Sequence, residues 1–269
     1  IREYDTRELE FSHITRRWLE GFEQWLMQRS KSANGRAIHF RNIRAVFNRA
    51  LDDGVTDCYP FRRNGFKIKK EETIHRDLTA EDLRILFAYQ PPTERPNPHA
   101  TKPLDFAVKY IDLAKLSFML IGMNPVDLFS AEPRDYYGGR INYRRAKTHK
   151  LYNIKVEPEA AAIIRKYRGE TRLLSMCERK DYRSLAKQVN KALRSISKEL
   201  GLPPVTMYWM RHSWATIAYS LGAPTDLVSD CLGHEHGSKV TATYINKGRV
   251  FNSKDELNRA VLDEVFGQV

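Results

Sequence analysis

Cysteine is scarce in this 269-residue chain, and its three copies, Cys58, Cys177 and Cys231, are odd in number and far apart. That argues against a disulfide framework and for a reducing compartment. No apolar run reaches spanning length and no signal-peptide pattern opens the chain, which sets aside membrane-embedded and secreted classes. No internal repeat is evident, so the chain reads as domains rather than an array. An initiator Met is missing, as in a fragment or a processed form, since the first residue is Ile1. Acidic residues are in deficit, with 33 Asp and Glu against 45 Lys and Arg, and the resulting charge of +12 suits a polyanion, nucleic acid first.

What is present is enough apolar material for two buried cores, at 42% hydrophobic residues. Phe11, Ile14, Trp18, Leu19, Phe22, Trp25 and Leu26 recur at helical intervals and predict an amphipathic helix. A second helix is expected after Asn34-Gly35, with Ile43, Val46, Phe47 and Ala50 as its apolar stripe. Arg36, Arg41, Arg44 and Arg49 lie largely off that stripe, where they can face phosphates. Residues 54–70 are turn-rich and basic and read as a connector. The division expected is a small helical domain over 1–75 and a larger mixed one over 76–269.

In the second part, Thr79 with Glu81 and Asp82 signals a helix start, and a long helix is expected from about Leu104 to Leu120, closed by Gly122. The alternation in INYRRAKTHKLYNIKV predicts a β-hairpin, with Ile141, Tyr143, Arg145 and Lys147 on one face and a turn around His149. Leu185, Val189, Leu193, Ile196 and Leu200 form another helical stripe. Helices are also expected from Thr206 to Leu221, from Thr225 or Asp226 to Gly233, and, opened by Asn252 or Ser253, along KDELNRAVLDEVF. The fold class is therefore mainly α with a small antiparallel β-sheet. Trp18, Trp25, Trp209 and Trp214 read as core, and His212 as a packing residue on the far side of its helix.

The most informative stretch is Y-W-M-R-H-S-W-A-T from Tyr208, then L-G-H at Leu232 to His234, with Tyr244 ten positions later. Residues three apart share a helix face, so Tyr208 and Arg211 can both point at one phosphate. Arginine offers a planar, permanently charged fork, and fixed cations that meet charge building on non-bridging oxygens lower the barrier to attack on a phosphodiester. Each residue alone has an ordinary structural reading; four elements in order at this spacing do not. The pattern resembles the C-terminal signature of the tyrosine recombinases, the phage-type integrases.

The resemblance implies that Tyr244 attacks phosphorus to form a covalent 3′-phosphotyrosyl link, so that rejoining needs neither ATP nor a metal. It implies roles for Arg211 and His234 at the phosphate, with Tyr208 where the family usually has histidine. Lys147, in the hairpin, matches the lysine that protonates the departing 5′ oxygen. One departure stands out: the family's first arginine sits in a motif like G-L-R-x-x-E-L, whereas this chain reads G-M-N-P-V-D-L from Gly122. Asn124 replaces that arginine and Asp127 matches the buttressing acidic position. Arg140, Arg144 and Arg145 are the nearest substitutes by sequence. Some mobile-element integrases are similar in lacking this arginine and yet recombine.

The implied partners are duplex DNA, a homotetramer with its last helix exchanged between protomers, and accessory directionality factors, in a bacterial cytoplasm on the nucleoid. No cofactor or metal is implied: Cys231, His234 and His236 lack a second ligand pair at a typical spacing. Two other classes share part of the pattern. A type IB topoisomerase uses similar chemistry without site preference, and a DNA-binding homologue could have lost cutting with its first arginine.

Overall fold

The computed structural model describes residues 1–72, 76–91, 107–178, 181–233 and 251–267. The chain divides into two compact units, 1–75 and 76–269.

The first unit is built on two helices, α1 (Arg16–Met27) and α2 (Ala33–Asp52), each opened by a hydroxyl cap: Thr15 accepts from the Trp18 amide, Ser32 from Gly35. Helix α2 thus starts before Asn34-Gly35 rather than after it. Asn34 is no turn residue because its side chain amide donates to the Glu71 carbonyl at 2.7 Å. Trp18, Leu19, Phe22 and Leu26 pack on Phe40, Ile43 and Phe47, as the helical intervals predict. Val46 is exposed, because it lies off the face shared by Ile43, Phe47 and Ala50. The stretch 54–70 is more than a connector. It folds back at Gly65, where a Cβ would overlap the Pro60 carbonyl, and inserts Phe66 into the core beside Phe40, with ring centroids 4.6 Å apart.

The second unit centres on α4 (Val108–Met119), nine of whose residues are buried. The expected start of this helix at Leu104 lies outside the described residues. Around it stand α3 (Ala80–Phe87), opened by a reciprocal Thr79–Asp82 cap, α6 (Pro158–Lys166), α7 (Tyr182–Glu199) and α8 (Met207–Ser220). Leu185, Val189, Leu193 and Ile196 all turn inward from α7. The amide that begins α8 is capped from α7, by Asn190 Oδ1 at 2.9 Å from Met207 N. After α4, Ile121 and Gly122 both take left-handed backbone conformations, and the chain swings into the short α5 (Pro125–Ser130).

The sheet has three antiparallel strands in the order β1 (Tyr136–Tyr137), β2 (Arg140–Arg144), β3 (Leu151–Lys155). Strand β1, which alternation over two residues could not announce, joins β2 through Gly138-Gly139, both left-handed as a tight hairpin requires. Between β2 and β3, Ile141 pairs with Ile154 and Tyr143 with Tyr152. The β2–β3 turn runs over Ala146–Thr148 and closes at His149, which is left-handed.

Two last helices complete the unit: α9 (Thr225–Leu232), ended by left-handed Gly233, and α10 (Lys254–Phe266), capped by Ser253. In the single chain α10 packs against α3 and α8 of its own unit. Leu257, Val261 and Leu262 are fully buried, and Phe266 stacks on Phe87 with centroids 5.6 Å apart. Asn258, also buried, accepts from Trp214 Nε1 and donates to the Met119 carbonyl. No helix among the described residues is long and apolar enough to cross a membrane.

Candidate active site

Arg211 lies on α8 with its side chain buried. Its guanidinium donates to the Gly122 carbonyl at 3.3 Å and, at shorter range, to the Leu232 carbonyl at the end of α9. Two glycines make this possible. A Cβ on Gly122 would overlap Arg211 Cα and Cβ, so only glycine lets the α4–α5 turn pass so close to α8. Gly233 is left-handed and its missing Cβ leaves room for the Tyr152 hydroxyl. The Leu-Gly of the Leu-Gly-His motif therefore terminates α9 and presents the Leu232 carbonyl to Arg211, where the negative end of the helix dipole favours a cation.

The hairpin brings a second guanidinium to the same place. Arg145 is buried, and its Nη1 donates to the carbonyls of Leu232 and Gly233 at 3.3 Å each. Burial and the Arg145 charge both push the Arg211 pKa down, although a guanidinium remains charged at neutral pH. The other two substitutes named from sequence go elsewhere. Arg140 forks onto Asp255 at the start of α10, at 2.7 and 2.9 Å, and Arg144 is exposed and donates to the His149 carbonyl.

Asp127, on α5, accepts from the Ala146 amide at 2.8 Å and so holds the hairpin turn that carries Lys147. Burial raises its pKa, against the opposing pull of that amide, Arg145 and Arg211. Asn124 is the residue before α5 and sits beside Asp127, where its side chain favours the ionised carboxylate. Lys147 is exposed on the turn. Tyr208 is about half exposed, one helical turn before Arg211. His212 is exposed too, with its ring edge-on to Tyr208 at 4.7 Å, rather than packed on the far side of the helix. His234 and Tyr244 lie outside the described residues.

Sequence reading missed the aromatic pair. Tyr143 and Tyr152 stack at 5.2 Å, near enough to Arg211 to act on its charge, and burial, then Asp127, raises the Tyr143 pKa strongly. Their signal was the register: Tyr143 precedes Arg145 by two on one strand face, and Tyr152 is its cross-strand partner.

In the first unit Arg41, Arg44 and Arg49 are exposed on α2, with Arg49 near Asp53 at 3.7 Å. Arg36 is corrected. It is buried and donates to the Ser30 and Lys31 carbonyls at 2.6 and 3.0 Å, because the loop before α2 leaves those acceptors unmet.

The two-domain fold is matched by known proteins. The family model described as the phage integrase SAM-like domain matches residues 1–69, and that of the phage integrase family matches residues 132–249. The chain belongs to the phage integrase family, the tyrosine recombinases. Among solved structures it is similar to a lambda integrase tetramer bound to a Holliday junction, at 15% identity over 92% of this chain and 69% of that one, TM-score 0.62. It is also similar to a lambda integrase dimer bound to a COC′ core site, at 16% identity over 82% and 79% of the two chains, TM-score 0.57. At these identities the likeness is one of fold. No curated protein matches the chain in sequence.

Proposed function

We propose that this protein cleaves and rejoins duplex DNA at specific sites through Tyr244, as the integrase of a mobile element lacking the usual first arginine. In the forward step the Tyr244 oxygen bonds to phosphorus while the bond to the 5′ oxygen breaks. The tyrosine proton passes to a base, for which His234 is the candidate, and Lys147 gives a proton to the leaving 5′ oxygen. Arg211 meets the charge on the non-bridging oxygens, and Tyr208 can donate to the same phosphate. Rejoining reverses these transfers with a 5′ hydroxyl as nucleophile, so the phosphotyrosyl link conserves the bond energy.

The observation that carries this reading is Arg211, buried and fixed at the end of α9, beside a hairpin whose turn bears Lys147 and is held by Asp127. The 1–75 unit would grip the duplex through Arg41, Arg44 and Arg49, with the 76–269 unit as catalytic domain. Lambda integrase relatives of the same fold are known as a dimer on a core site and a tetramer on a Holliday junction, which supports a homotetramer on DNA here. Directionality factors would set integration against excision.

The test uses nicked duplexes drawn from the DNA that flanks the protein's own gene, with wild type and Tyr244→Phe compared on a denaturing gel. A protein–DNA adduct formed only by the wild type is expected. Specific binding with no adduct would favour the other reading, a non-cutting homologue, which Asn124 in the arginine position makes concrete.

A further inference from the structure

We propose that Arg145 is the second phosphate-binding arginine of this enzyme, so that the charge absent from Asn124 on α5 is supplied from the β2–β3 hairpin. The inference rests on the Tyr244 cleavage reading above.

Three observations converge on Arg145. First, it and Arg211 arrive from different elements and donate to one atom, the Leu232 carbonyl oxygen, so their guanidiniums stand side by side. Two buried like charges in that position repel, and the Arg145 charge adds to the burial that lowers the Arg211 pKa. The end of α9 and the Asp127 carboxylate offset part of the repulsion. A bridging anion removes the rest, and a phosphodiester gaining charge as it is attacked is such an anion. Second, Arg145 keeps a donor for it: its buried Nε has no hydrogen-bond partner among the described residues. Third, the alternatives are committed. Arg140 is forked onto Asp255, Arg144 points at its own turn in solvent, and Asn124 carries no charge.

A purely structural role would make Arg145 a clip tying the hairpin to α9. The two roles separate on a substrate whose scissile phosphate is replaced by a methylphosphonate, which lacks one anionic oxygen and so has less charge to stabilise. A clip is needed equally for both substrates; a phosphate-binding cation is needed far more for the phosphodiester.

The experiment measures single-turnover adduct formation by the full chain on nicked duplexes carrying either linkage. The proteins are wild type, Arg145→Ala, Arg145→Lys, Arg144→Ala and Tyr244→Phe, each checked for folding by circular dichroism. On the phosphodiester, Arg145→Ala is expected to lose roughly 10²- to 10³-fold, as when one donor to a developing anion is removed. Arg145→Lys should lose less, since it keeps the charge without the fork, and Arg144→Ala should match wild type. On the methylphosphonate most of the Arg145 deficit should vanish. Should Arg145→Ala not fold, the Lys variant carries the same comparison between linkages. Wild-type rates in the Arg145 variants, or an equal loss on both linkages, would overturn the inference while leaving Tyr244 chemistry intact. Absence of any Tyr244-dependent adduct in the wild type would overturn the cleavage reading, and this inference with it.

Discussion

Two regions of this protein bury arginine, and they do so for different ends. In the first unit Arg36 turns back on the carbonyls of Ser30 and Lys31, six and five residues before it, and closes the loop that leads into α2. In the second, Arg145 and Arg211, far apart in sequence, meet at the end of α9 on one shared carbonyl. A single guanidinium satisfying local acceptors is a fastening. Two guanidiniums brought together from separate elements, at an electrostatic cost, form a receptor for an anion. Burial and carbonyl contacts alone do not distinguish the cases; the second charge does.

The sharpest way to break this comparison is to remove each arginine in turn. Arg211→Ala should lower single-turnover adduct formation by about 10²- to 10³-fold in a protein that still folds. Arg36→Ala should cost roughly 1–3 kcal/mol of stability, from carbonyls left unmet, and leave the cleavage rate of bound DNA unchanged. Chemical denaturation and gel kinetics on the same samples check both, and a cleavage defect in folded Arg36→Ala would erase the distinction.

The next largest effect concerns the frame around the receptor. Leu257→Ala should destabilise the second unit by about 2–5 kcal/mol, because α10 is part of its own core. The loss should appear in dilute monomer and be independent of protein concentration; a loss seen only in assembled complexes would mean that the helix serves a neighbour instead.

The fold was largely legible because its signals are periodic: helical intervals, hydroxyl caps and one alternating hairpin. Where reading failed, a tertiary partner decided. Arg36 and Val46 lie on faces that a single helix cannot rank, since the preceding loop takes up Arg36. Phe66 looked like part of a basic connector because the Gly65 fold-back is a long-range event. In the site, Arg211 and Lys147 were marked by spacing, but choosing among Arg140, Arg144 and Arg145 required knowing that Asp255 claims the first and that the strand face carries the third inward. Tyr152 carried no motif at all; its place under Gly233 follows from strand register.

Smaller effects sharpen the contrast at the surface. Arg41→Gln, Arg44→Gln and Arg49→Gln should each reduce the salt slope of DNA binding by about 0.9 if each meets one phosphate, whereas Arg36→Gln should leave it unchanged. Binding titrations over a range of salt would show any reversal of that order. The smallest expected effect is in acid. The fork from Arg140 holds the Asp255 pKa below its ordinary 3.8, so the pair adds stability that is complete above that value and is lost as pH falls through the lowered one. Below about pH 4 the wild type should therefore lose more stability than Asp255→Asn, a difference read from paired melting curves.

One phosphate is expected to sit between two arginines drawn from α8 and the hairpin. A crystal structure of Tyr244→Phe on an uncleaved duplex tests it most directly. Guanidinium nitrogens of both Arg145 and Arg211 are predicted within about 3 Å of oxygens of the same phosphate. A scissile phosphate held by Arg211 while Arg145 stays on the α9 carbonyls alone would contradict it.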